Sequence, residues 1–308
     1  PLARRVQTIG FISPVRQDIV MHRIPLLLLL PCLLLSAGCL TASEPPAEAG
    51  IVLVAPADPV ALFDGTGTLS NLIGRENPGI QTNYSVAYCI IPPGNGTPPH
   101  RLFESTELVY VIGGTAEIRC DNATVTAGAG ETVLLPERVL QSITSIGDTD
   151  LLYLTVVQPP FHPDIEFSGD ELATLSMTTD ARPVVVAGPR EGIEWDLESG
   201  VAVYTLINPV LMREKALPID YSLAYVELMP GGYLGYDGIK GSSDLLYVIE
   251  GDIEVSTPGG QAVRVPAGSA ACIPPDLVKE TRNVAASTTK VLSFIDPAWV
   301  PEKTGLFE

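Results

Sequence analysis

Histidine is nearly absent from this sequence: three occur in 308 residues, and only His100 and His162 lie beyond the N-terminal apolar run. Beyond that run, one chain cannot supply a site needing three imidazoles. Cationic side chains are also scarce, 18 Lys and Arg against 36 Asp and Glu, giving a net charge of −18. A surface of that sign repels phosphate backbones and anionic headgroups, so nucleic acid is not an expected partner. The chain lacks a phosphate-cradling glycine loop, a dinucleotide fingerprint and a Gly-x-Ser-x-Gly nucleophile elbow. Helical periodicity is weak, with residues 170–178 (DELATLSMT) the best short candidate. No apolar run is long enough to span a bilayer, which takes about 20 residues. The run at 24–35, IPLLLLLPCLLL, instead has the length of the apolar region of a secretion signal.

That run defines the expected organisation of the N terminus. The basic, apolar, small-residue order begins at Met21, so residues 1–20 read as upstream translation and 21–38 as a signal. Leu35-Ser36-Ala37-Gly38-Cys39 resembles the lipobox at which a lipoprotein signal is cut and the new N-terminal Cys is acylated. The resemblance implies lipidation of Cys39 and anchoring to the outer face of the cell membrane. Simple secretion by cleavage after small residues is the alternative. Residues 39–50 are small, acidic and Pro-containing, as suits a tether. In an exported chain, Asn83, Asn95 and Asn122 stand in glycosylation sequons. Disulfides can persist there, so Cys89 and Cys120 are candidates for a bridge, while Cys272 in AACIPP reads as a buried free thiol.

Self-comparison shows a tandem duplication. YSVAYCIIPPG (84–94) lies over YSLAYVELMPG (221–231), and LVYVIGGTAEI (108–118) over LLYVIEGDIEV (245–255). One inserted residue later, Gly130, Pro136 and Pro159 match Gly268, Pro274 and Pro297. Each copy is domain-sized, so the expectation is two domains, 51–160 and 183–308, joined by a linker at 161–182. Within each copy, short apolar groups rich in Val, Ile, Leu, Tyr and Thr alternate with Gly, Pro and Asn-Asp turns. Strands are predicted at Ser85–Ile91, Leu108–Ile112, Ala116–Cys120, Thr132–Leu135 and Leu151–Val157, with counterparts in the second copy. The fold class is all-β, an antiparallel sandwich or barrel repeated twice.

Gly94, His100, Leu102, Glu107 and Gly114, followed by Gly130-Glu131, Pro136, Gln141 and Ser145, keep the spacing of the two motifs of the cupins. The chain resembles a bicupin, distantly similar to ureidoglycine aminohydrolase-type and germin-like members. The resemblance implies two jelly-roll barrels, each with a metal held by His-x-His, Glu and a last His. Here Leu102 and Gln141 replace two of the first barrel's histidines. In the second copy Asp237, Asp244 and Lys279 replace the first His, the Glu and the last His, leaving no imidazole. His-x-His works because strand side chains alternate with period two, placing both rings on one face.

His100, Glu107 and Gln141 are therefore weak candidates for one divalent transition metal (Mn, Fe, Ni or Zn), with no metal the other expectation. Without metal, His100 is a barrel-lining ring bonded to Glu107. In the second barrel, Lys279 either bridges Asp237 and Asp244 as a built-in cation, or the three charges face water at the mouth. Tyr233 and Tyr236 are expected at that mouth or capping the barrel, and His162 facing solvent. The functional expectation is an exported, lipid-anchored small-ligand-binding or structural module. The rival is a mononuclear metal-dependent hydrolase or oxidoreductase acting on a small polar metabolite in the first barrel. Expected partners are a small molecule, the membrane through the lipid, and a second copy paired through strand edges.

Overall fold

The computed structural model describes residues 50–306 except 63, 64, 76, 78, 79, 81, 174, 176, 178, 180 and 198. The chain divides into two units, residues 1–47 and 48–308. The proposed signal, Cys39 and most of the tether lie outside the described residues.

The larger unit holds two barrels of the same construction, each a seven-stranded sheet facing a five-stranded one, with all pairings antiparallel. In the first barrel the central strands are Thr106–Gly113, Leu151–Gln158 and Ser85–Ile91, opposed by His100–Leu102, Gln141–Ser145 and Thr115–Cys120. Ser243–Glu250, Thr289–Asp296 and Ser222–Leu228 correspond in the second, opposed by Tyr233–Ile239, Lys279–Asn283 and Asp252–Ser256. The sequence-predicted strands at 85–91 and 132–135 coincide with the observed ones, and the helical candidate forms one short helix, Gly169–Ala173. The tight turn after each long strand explains the last glycine of the first motif. Gly114 has φ +78°, and a Cβ there would lie 2.5 Å from the Asp150 carbonyl oxygen. Gly251 repeats it at φ +82°.

Alternation divides these strands between two cores. Val109 and Val111 point into the first barrel, while Leu108 and Tyr110 point out, into a core shared with the second. Leu246 and Val248 against Leu245 and Tyr247 do the same from the other side. Both faces of each seven-stranded sheet are thus covered, which is why the strands read as unbroken apolar runs. Tyr84 and Tyr221, equivalent in the repeat, meet at 5.4 Å between the barrels. A reciprocal pair of hydrogen bonds fixes their alignment. The Asp220 N–H donates to Gln158 Oε1 at 2.7 Å, and the Asn83 N–H to Asp296 Oδ2 at 3.3 Å.

The barrels also exchange edge strands. Val52–Val54, from the start of the first copy, pairs with Ala270–Ile273 of the second barrel. Val184–Val186, from the start of the second copy, pairs with Thr132–Leu135 of the first. The segment expected as a linker contributes Glu166–Ser168, which pairs with His100–Leu102. Cys89, Cys120 and Cys272 are all buried and free, so the bridge expected between Cys89 and Cys120 is not formed. Burial pushes the Cys89 thiol up to about 12, which leaves it an inert packing group.

Candidate functional site

The Gln141–Ser145 strand lies beside His100–Leu102 and brings Gln141 opposite His100. His100 and Leu102 line the first cavity, of about 740 Å³, with Glu107. Arg101, between them in sequence, turns the other way and pairs with Asp121 at 3.2 Å. His100 Nδ1 lies 3.0 Å from the Pro98 carbonyl oxygen, which can only accept, so Nδ1 carries a proton. In the neutral ring, Nε2 then offers its lone pair to the Gln141 amide at 3.0 Å. The same amide nitrogen donates its second N–H to Glu107 Oε2. The other Glu107 oxygen accepts from Thr155 Oγ1 at 2.6 Å. His100 Nε2 and Glu107 Oε2 stand 3.9 Å apart, with the amide joining them. Burial disfavours a charged imidazole, but the Glu107 carboxylate and the Pro98 carbonyl outweigh it and raise the His100 pKa.

Besides Thr155, sequence reasoning missed Glu166 and misplaced His162. Glu166, on the Glu166–Ser168 strand, pairs with Leu102 and faces the same space. Burial raises its pKa, the His100 charge opposes the rise and Glu107 adds to it. His162, expected to face solvent, also lines the cavity and lies 3.6 Å from Asp164. The three sequon residues Asn83, Asn95 and Asn122 are at least partly exposed.

The second site is the first with its charges rewritten. Lys279 pairs across strands with Asp237, as Gln141 does with His100. Its Nζ lies 2.8 Å from Asp237 Oδ1 and 3.6 Å from Asp244 Oδ2. Ser293 Oγ donates to Asp244 Oδ1 at 2.8 Å, as Thr155 does to Glu107. Lys279 is 3% exposed and Asp244 4%, so these charges do not sit in water at the barrel mouth. Burial alone would lower the Lys279 pKa, yet the two carboxylates raise it. Burial raises that of Asp244, with Lys279 and Ser293 opposing only in part. One ammonium thus serves two carboxylates. Around them is a cavity of about 440 Å³, walled largely by aliphatic side chains and by Trp195 and Trp299, the only tryptophans in the chain. Tyr233 and Tyr236 do not line it; Tyr233 is exposed, with the Arg282 guanidinium 4.8 Å from its ring centre.

The residues do not fit a tightly held metal. In each barrel an N–H donor, the Gln141 amide or the Lys279 ammonium, already bridges the groups aligned with the metal ligands. Among the described residues, no three His, Cys, Asp or Glu side chains cluster closely enough to hold an ion.

Two antiparallel barrels of this topology, joined back to back with motif glycines at their turns, give the chain the fold of a bicupin. Residues 87–157 match the cupin domain family. An uncharacterized protein of Methanocaldococcus jannaschii is 31% identical over 83 residues, 27% of this chain and 66% of that one, just under two thirds of its length. Among solved structures, Bacillus subtilis oxalate decarboxylase at pH 4.6 is similar at a TM-score of 0.66 and 14% identity, covering 85% of this chain and 81% of that one. The Lactobacillus farciminis oxalate decarboxylase formate complex is similar at 0.65 and 16%, covering 83% and 88%. At these identities the likeness is one of fold.

Proposed function

We propose that this bicupin is a small-ligand-binding module whose barrels are organised by hydrogen bonds and an internal ion pair in place of metal. The observation that carries the reading is the double substitution of an N–H donor at the same place in both barrels, Gln141 between His100 and Glu107 and Lys279 between Asp237 and Asp244. One imidazole, carboxylates and an amide hold a transition metal weakly, because thiolates and imidazoles supply most of the affinity. Purified protein is expected to contain well under one equivalent of Mn, Fe, Ni or Zn. Leu102→His together with Gln141→His puts two further nitrogens beside His100 and should confer tight metal binding, measured by elemental analysis. Stoichiometric metal in the unmodified protein, lost in His100→Ala along with turnover of a small metabolite, would overturn the reading.

A metal-independent acid–base reaction in the first barrel is the second reading, and Glu166 favours it. A carboxyl whose pKa burial raises, sharing a cavity with an imidazole, is placed for proton exchange with it. Oxalate decarboxylation, the activity of the structural neighbours, makes small carboxylates the first substrates to assay, with Glu166→Gln expected to abolish any turnover found.

The reading also includes export and anchoring through Cys39, supported by the apolar run and the Ser-Ala-Gly-Cys that ends it. Cys39→Ser should move the protein from the membrane fraction to the soluble one. Unchanged membrane recovery would remove the anchor.

A further inference from the structure

We propose that the second barrel binds a compact organic cation, a protonated amine on an apolar body, with Asp237 and Thr281 receiving its head. The inference rests on the ligand-binding reading above and adds the ligand's chemistry. Three observations carry it. First, the cavity holds two carboxylates against one ammonium, and the Lys279 ammonium points at both of them. An anionic ligand would have to take Lys279 from its partners and meet two carboxylates, whereas a cation brings the polar group to neutrality. Second, Thr281 is 2% exposed, lines the cavity, and its Oγ1 has no hydrogen-bond partner. It lies two residues beyond Lys279 on the same strand and therefore on the same face. A buried hydroxyl left unpaired is costly, and an ammonium N–H is a donor it can accept. Third, the walls are apolar and include both indoles, Trp195 and Trp299, packed edge to face at 5.2 Å. Their own N–H groups are committed to Thr205 and Thr304, so the rings offer π surface and not donors. Asp237, with a side chain 16% exposed against 6% for Asp244, is the carboxylate that an entering head meets first.

The first barrel differs at the same places. Ile143 stands where the repeat places Thr281, and His100 where it places Asp237. The cation site therefore belongs to the second barrel alone.

Because both tryptophans of the chain line this cavity, intrinsic fluorescence reads its occupancy directly. The probes are phenethylamine, phenethyl alcohol and 3-phenylpropionate, which share a body and differ in head charge. The amine should change the emission saturably and bind about tenfold or more tighter than the alcohol, with the carboxylate weaker still. Thr281→Val should weaken the amine about fivefold while leaving the melting temperature unchanged or raised, since it removes an unpaired buried hydroxyl. Asp237→Asn should erase the preference for amine over alcohol. Equal binding of the three probes, or an amine affinity unaltered in Thr281→Val, overturns the cation site and leaves the ligand-binding reading in place. Absence of any amine response overturns the cation site as well. Stoichiometric metal with turnover is the separate result that overturns the underlying reading.

Discussion

At the scale of single residues, the clearest consequence concerns Lys279. Its ammonium is buried between Asp237 and Asp244, and removal of one partner of such a group leaves charge stranded in low dielectric. Lys279→Met is expected to lose roughly 3 to 5 kcal/mol in chemical denaturation. A change within about 0.5 kcal/mol would show the carboxylates to be solvated. Asp244 sets the sign of the pH dependence. Its folded pKa lies above the free value, so the folded state holds that proton more tightly. The stability it contributes is complete below the free carboxylate range and is lost as pH rises through the folded value. Asp244→Asn should flatten that fall in the mildly acidic range, and an unchanged slope would assign it to other groups. The positions of His100, Glu107, Gln141 and their second-copy counterparts were legible because motif spacing on strands fixes which side chains share a face. Glu166 was not, because the segment holding it reads as a proline-rich connection. Thr155 and Ser293 were hidden among ordinary strand residues, although the repeat offset pairs them.

At the scale of elements, the strand exchange defines what counts as a separable part. A chain cut to residues 183–308 carries Val184–Val186 without its partner Thr132–Leu135 and lacks Val52–Val54, which covers the Ala270–Ile273 edge. It also exposes the face of Leu245, Tyr247 and Phe294 that packs against the first barrel. Uncovered edges and apolar faces of this kind associate. The isolated half is expected to self-associate or aggregate in light scattering, while residues 50–306 melt in one cooperative transition. A monomeric, cooperatively folding 183–308 would show the exchanged strands to be dispensable. The duplication, the all-β class and the main strands were readable from the sequence. The exchange was not: short edge strands such as VLV and VVV carry no signal of which sheet they join, since that is decided by tertiary packing.

For the whole molecule, a net charge of −18 makes self-repulsion a standing cost to the compact state. Glu166, Asp244 and Asp296 add to it, each raised by burial, with neighbouring groups modulating the shift. All three bind protons more tightly folded than unfolded, so lowering the pH toward the carboxylate range strengthens the fold. The melting temperature should be higher at about pH 5 than at about pH 7.5, with the gap narrowing in high salt. A higher melting temperature at the more alkaline pH would contradict the account.

The crossed edges also impose an order on biosynthesis. Val52–Val54 leaves the ribosome ahead of the other described strands, but the Ala270–Ile273 edge it belongs to is made only after the whole of the first barrel. The first barrel waits a shorter time, closing once Val184–Val186 has emerged. During translation Val52–Val54 is therefore a loose end until that edge exists. The second barrel is closed by a strand that precedes the first, so the native topology waits until the Ala270–Ile273 edge has been made.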